Sequence, residues 1–82
     1  MYELYLKKTC PFCSQAKRLL DEKSIEYKEF DVMKLGGTQK AIAQLKNTCK
    51  MNQNLVHNTV PIIFDNGGRF IGGYSDLKQY LR

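Results

Sequence analysis

The chain is most informative first for what it has little of. Among 82 residues there are three cysteines, two prolines and one histidine. An odd cysteine count does not suit a disulfide-stapled secreted scaffold. No apolar run approaches the ~20 residues that a membrane-spanning helix needs. The chain opens MYELYL and meets charged Lys7 at once, so no secretory leader is expected. A reducing, cytoplasmic setting follows as the expectation, and there a Cys-x-x-Cys pair is more often catalytic or metal-binding than structural. No repeat, low-complexity tract or linker divides the chain. Its length leaves no room for two adequate cores, so residues 1–82 are expected to form one domain.

Charge narrows the partners. Thirteen Lys and Arg against eight Asp and Glu give a formal net charge of +5 and a pI near 9.2. The basic residues are spread along the chain, and no nucleic-acid-binding motif accompanies them. This is a surface suited to anionic partners. A monomer with neither a nucleic-acid nor a membrane partner is expected. A hydrophobic content of 43% in regular patterns argues against disorder.

The pattern reads βαβαββα. Tyr2–Leu6 alternates as a short strand. Pro11 opens a helix that runs to about Lys23, since proline is tolerated in a first turn. Phe12, Ala16, Leu19, Leu20 and Lys23 form its expected stripe. Residues 25–32, IEYKEFDV, make a second strand, with Ile25, Tyr27, Phe30 and Val32 inward. A helix joins it to the first strand, so the two should be parallel. After Gly36-Gly37, Thr38 is the expected cap of a second helix carried by Ala41, Ile42, Ala43 and Leu45. Pro61–Phe64 and Arg69–Ile71 read as a hairpin around Asp65-Asn66-Gly67-Gly68. Ser75 or Asp76 is the expected cap of a last helix through Leu77, Tyr80 and Leu81.

Cys10-Pro11-Phe12-Cys13 falls where the first strand ends and the first helix begins. Unpaired N–H groups and the helix dipole favour negative charge at that place, and Lys7 and Lys8 add positive potential. Cys10 is therefore favoured as a thiolate, the attacking species in disulfide exchange. Cys13, one turn deeper, is the natural resolving thiol. The same spacing occurs in zinc sites, but a structural zinc needs four ligands. Only Cys49 and His57 remain, at a spacing that fits no common zinc module.

With these residues in view, the chain resembles the glutaredoxins along almost its whole length. The resemblance rests on YLKKTCPFC, on TVP at Thr59-Val60-Pro61 and on GGYSDL from Gly72 to Leu77. CPFC is close to the dithiol CPYC form and unlike the CGFS form of monothiol, cluster-handling members. The resemblance implies a thioredoxin-like α/β fold with a four-stranded mixed sheet flanked by helices. It implies a glutathione-dependent thiol–disulfide oxidoreductase that needs no bound cofactor, with glutathione as co-substrate. Its partners would be glutathionylated or disulfide-bearing proteins, with glutathione reductase behind glutathione.

The resemblance also assigns a glutathione groove. Pro61 would follow a cis bond beside the cysteines; from the residues alone, without the other two motifs, the start of an edge strand is the favoured reading. Val60, next to Thr59, would offer its backbone to the cysteinyl unit of glutathione. Gly73, Tyr74, Ser75 and Asp76 would face the γ-glutamyl end, although Asp76 reads equally well as a helix cap. Phe12 and Tyr74 would border the site, unless Tyr74 covers the core. His57 stands where many members carry Arg or Gln. Its neutral imidazole lacks a permanent charge, so Lys7 is the stronger expected partner of the glycine carboxylate. Cys49, in the polar stretch Lys46–Val56, has no assigned role. Two rivals remain: an electron donor served by thioredoxin reductase, and a subunit-bridging iron–sulfur site.

Overall fold

A computed structural model describes residues 1–82. Strand β1, Tyr2–Leu6, leads into helix α1, Pro11–Glu22, and then strand β2, Tyr27–Asp31. A 3-10 turn at Val32–Leu35 precedes helix α2, Thr38–Asn47. Strands β3, Ile62–Phe64, and β4, Phe70–Gly72, are followed by helix α3, Tyr74–Tyr80. The sheet order is β2-β1-β3-β4. β1 runs parallel to β2 and antiparallel to β3, and β3 and β4 are antiparallel.

Helices on both faces explain why β3 and the Leu4–Leu6 part of β1 are apolar on both sides rather than alternating with polar residues. Leu4, Leu6 and Ile63 face Cys13, Ala16 and Leu20 of α1 and Leu77 of α3. Tyr5, Ile62 and Phe64 point the other way, toward Val32, Ala41, Ile42, Leu45 and Met51. The period-two geometry of the strands sorts the side chains into these two cores. Met51 belongs to the polar stretch after α2, yet it is buried and pins that stretch to the second core.

Several boundaries depart from the sequence reading for local reasons. The α1 stripe consists of Cys13, Ala16 and Leu20; Leu19 is half-buried, Lys23 is the exposed C-cap, and Phe12 is 58% exposed. β2 stops at Asp31 because its carboxylate accepts from Met33 N (2.9 Å) and starts the 3-10 turn, which takes Val32 out of the strand. Gly37, not Thr38, is the N-cap of α2, and Ala43 is exposed. Pro61 lies just outside β3, and β4 begins at Phe70 rather than Arg69. In the hairpin, Asp65 accepts from the N–H groups of Gly67 and Arg69, each at 2.9 Å, and Gly68 takes the positive φ. Gly73 is the N-cap of α3, so neither Ser75 nor Asp76 holds that position. Asp76 acts instead from the third helical residue, accepting from Gly73 N at 3.0 Å.

Candidate functional site

The site forms at the end of the sheet where β1 stops. Cys10 is the N-cap of α1, with an extended backbone. Its sulfur accepts a hydrogen bond from Cys13 N at 3.2 Å. An N-cap side chain satisfies one of the helix's unpaired N–H groups, a role usually filled by an oxygen. Here a sulfur fills it. As a thiol, Cys10 also donates to Val60 O at 3.6 Å. The cysteines are free, with Cys10 partly exposed and Cys13 buried.

Cys13 is 3% exposed, and the difference between the two thiols follows from that. Burial pushes the Cys13 thiol up to about 12, and the Cys10 sulfur beside it adds to the rise. The Lys7 backbone N–H and the Lys17 ammonium act in the opposite direction. Cys13 is the deeper of the two cysteines, as expected.

The Thr59-Val60-Pro61 segment reaches the cysteines through the Val60 carbonyl. The Val60–Pro61 peptide bond is cis, and Pro61 is buried. His57 lies behind this segment: its Nε2 is 3.4 Å from Pro61 O and its ring packs edge-on against Phe70, with centroids 5.4 Å apart. A Cβ on Gly73 would meet His57 Cε1 at 3.6 Å, so His57 links the proline segment to the start of α3. Thr59 is exposed beside it.

The third segment closes the arrangement. Gly73 begins α3, and Asp76 is committed to its N–H. Ser75 is exposed. Tyr74 is half-buried and stacks on Phe12, with centroids 6.3 Å apart. Tyr74 therefore borders the site while packing against the α1 core. Phe12, Tyr74, Val60 and His57 connect the three sequence motifs around Cys10.

Lys7 occupies a different flank. It lines a cleft of about 490 Å³ together with Cys13, Ser14 and Lys17 of the first helix region and Phe30 and Lys34 around the end of β2. None of the cleft's lining residues comes from Thr59–Pro61 or Gly73–Asp76. This cleft, the capping role of the Cys10 sulfur and the bond to the Val60 carbonyl were all absent from the sequence reading. The parallel pairing of β1 and β2 was the available signal for the cleft, because it places residues after both strands at one end of the sheet.

Comparison with known proteins agrees with this geometry. The family model described as Glutaredoxin matches residues 2–71, which includes the cysteines and the proline segment but not α3. A probable glutaredoxin of Acanthamoeba polyphaga mimivirus is 34% identical over 82 residues, covering 98% of this chain and 76% of the relative. Glutaredoxin 3 of Escherichia coli K12 is 35% identical over 75 residues, covering 92% and 78%. Among solved structures, a buckwheat glutaredoxin–glutathione complex is similar with a TM-score of 0.75 and 25% identity. The match covers 99% of this chain and 67% of that one.

Proposed function

The chain belongs to the glutaredoxin family and is a glutathione-dependent thiol–disulfide oxidoreductase, and we propose that Cys10 is its nucleophile and Cys13 its resolving thiol. The observation that carries this assignment is the asymmetry of the pair. Cys10 is partly exposed and its sulfur accepts a backbone N–H, whereas Cys13 is buried and held protonated.

With a glutathione mixed disulfide, the Cys10 thiolate attacks the glutathione sulfur. The substrate S–S bond breaks, the substrate leaves as a thiolate that takes up a proton, and a Cys10–glutathione disulfide forms. A second glutathione thiolate attacks the glutathione sulfur of that disulfide, releasing glutathione disulfide and restoring the Cys10 thiolate.

With a protein disulfide, Cys10 bonds to one substrate sulfur and releases the other. Cys13 then loses its proton and attacks the Cys10 sulfur, which frees the reduced substrate and leaves a Cys10–Cys13 disulfide. Two glutathiones reduce that disulfide to the dithiol and depart as glutathione disulfide. Once Cys10 is in a mixed disulfide it carries no charge, so its part in raising Cys13 disappears while the pull of Lys17 and the Lys7 N–H persists. Cys13 thus becomes easier to ionise when its attack is required.

In this reading glutathione lies along Thr59, Val60 and Pro61, with Val60 pairing to its cysteinyl unit. Gly73, Tyr74, Ser75 and Asp76 adjoin its γ-glutamyl end, Phe12 borders it, and Lys7 and His57 are the candidates for its glycine carboxylate. The setting proposed is a reducing cytoplasm, with the chain acting as a monomer that carries electrons from glutathione to disulfides.

The test is NADPH oxidation with a glutathionylated substrate, driven by glutathione and glutathione reductase, alongside a thioredoxin reductase arm. Activity with glutathione should vanish in Cys10→Ser and persist largely in Cys13→Ser, while reduction of a protein disulfide should need both cysteines. Activity with thioredoxin reductase alone would overturn the glutathione assignment.

A further inference from the structure

The cleft on the far flank of the cysteine pair takes no lining residue from the Val60 and Gly73 segments, and Lys7 is the one of its lysines that also has a candidate role toward glutathione. Its rim carries Lys7 and Lys8 after β1, Lys17 on α1 and Lys34 in the turn after β2. Two carboxylates are also present, and both are engaged. Glu29 is ion-paired with Lys17 at 3.1 Å, and Asp31 accepts from Met33 N. The other ion pair in the structure joins Lys50 to Glu3, away from the cleft. Lys7, Lys8 and Lys34 are exposed, and no carboxylate of the chain is paired with them.

The same end of the molecule is also apolar. Phe12 and Met33 are 58% and 60% exposed. Phe12 lies in the first turn of α1 and Met33 beside Lys34. The parallel pairing of β1 and β2 places both segments at the end of the sheet that holds Cys10. Unpaired lysines beside exposed apolar side chains match a polypeptide carrying carboxylates and apolar groups, rather than a small anion.

We propose that this lysine-rimmed cleft docks an acidic segment of the substrate protein, next to the cysteine being reduced, so that the enzyme prefers disulfides flanked by Asp and Glu. The proposal rests on the oxidoreductase reading and names its substrate class. Cys13 forms part of the cleft wall, so a segment held there lies beside the dithiol and leaves the Val60 side free for glutathione.

The experiment uses two glutathionylated peptides that differ only in the residues around the cysteine, Asp and Glu in one and Ser and Gln in the other. The reference substrate is the mixed disulfide of glutathione and mercaptoethanol. Wild type is compared with Lys8→Glu/Lys34→Glu and the milder Lys8→Gln/Lys34→Gln. Exposed charge pairs contribute modestly each, so kcat/KM for the acidic peptide should exceed that for the neutral one by about 5- to 10-fold at low salt. The advantage should reside in KM and shrink as salt is raised. Read as the ratio of the acidic to the neutral peptide within each protein, the preference should be mostly lost in the Gln pair and reversed in the Glu pair.

Wild type that does not discriminate between the peptides, or a preference that survives both double variants, would overturn the docking proposal. So would an equal fall on all three substrates, which would place the lysines in the chemistry. Absence of any glutathione-dependent turnover of the small reference by wild type would overturn the oxidoreductase reading instead.

Discussion

Replacing Gly72 with alanine probes the start of α3 most directly. Gly72 ends β4 with φ +129°, a backbone conformation that costs a side-chain-bearing residue on the order of 1–3 kcal/mol. A Cβ there would lie 2.3 Å from Asp76 Oδ2, 2.8 Å from Cγ and 2.9 Å from Cβ. The carboxylate must therefore leave Gly73 N, to which it now bonds at 3.0 Å. Losing such a cap costs about 0.5–2 kcal/mol, so Gly72→Ala should lose roughly 2–4 kcal/mol in total. Asp76→Ala should lose about 1 kcal/mol, and Asp76→Asn less, because an amide oxygen still accepts. In the double variant Gly72→Ala/Asp76→Ala the cap is lost only once and the clash with the carboxylate is gone. Its cost should therefore fall short of the sum by about 1 kcal/mol. Urea unfolding midpoints measure all four proteins. Strict additivity, or a Gly72→Ala protein as stable as wild type, would refute the contact between Gly72 and Asp76. The glutathione KM of Asp76→Asn separates the two roles of this residue: a rise with stability kept would assign the lost charge to ligand binding.

Leu20, fully buried under α1, should cost about 2–5 kcal/mol as Leu20→Ala, whereas exposed Phe12→Ala should stay within about 0.5 kcal/mol; equal losses by thermal unfolding would contradict the two environments. Cys13 supplies a pH prediction. Its folded thiol lies near 12 against an ordinary 9.0, so above pH 9 the unfolded chain binds fewer protons at this group than the native one. Stability from Cys13 is then fully present below pH 9 and is lost between about 9 and 12, with a limiting slope near 1.4 kcal/mol per pH unit. Wild type and Cys13→Ala unfolded in urea across that range should converge in stability as pH rises, and parallel curves would refute the burial argument.

The element order was legible because each signal is local. Pro11 at a helix start, alternation in Tyr2–Leu6 and glycines between runs need no tertiary knowledge. What eluded the sequence depends on neighbours. Phe12 fits a helical stripe by spacing, yet it lies on the exposed side of Cys13, where only packing against Tyr74 keeps it partly covered. Val32 continues the two-residue period from Phe30, but the Asp31 cap turns the chain out of the strand at that point. Thr38 has good capping chemistry, while Gly37, with φ +109°, takes the boundary position instead. In the site, the three motifs marked the right segments but not the atoms. That the Val60 carbonyl meets the Cys10 thiol is fixed only when β3 pairs with β1.

The two thiols differ through the fold around them rather than through their own chemistry. α1 must bury one face against Leu4, Leu6 and Ile63, and the helical period puts Cys13, Ala16 and Leu20 on that face. A residue three positions earlier at the helix start is left at the cap, where its side chain meets the N–H of the buried cysteine. The N–H that Cys10 accepts therefore belongs to the residue proposed to attack it later. Packing α1 on the sheet also seats Cys13 in the wall of the lysine-rimmed cleft. A single helix placement thus leaves one sulfur partly exposed, buries the other, and sets the buried one beside a basic surface. Loosening that placement, as Leu20→Ala does, should raise the rate at which Cys13 is alkylated at neutral pH well before it unfolds the protein. Peptide mapping of the alkylated chain would show the change, and a Cys13 as inert as in wild type would separate its protection from helix packing.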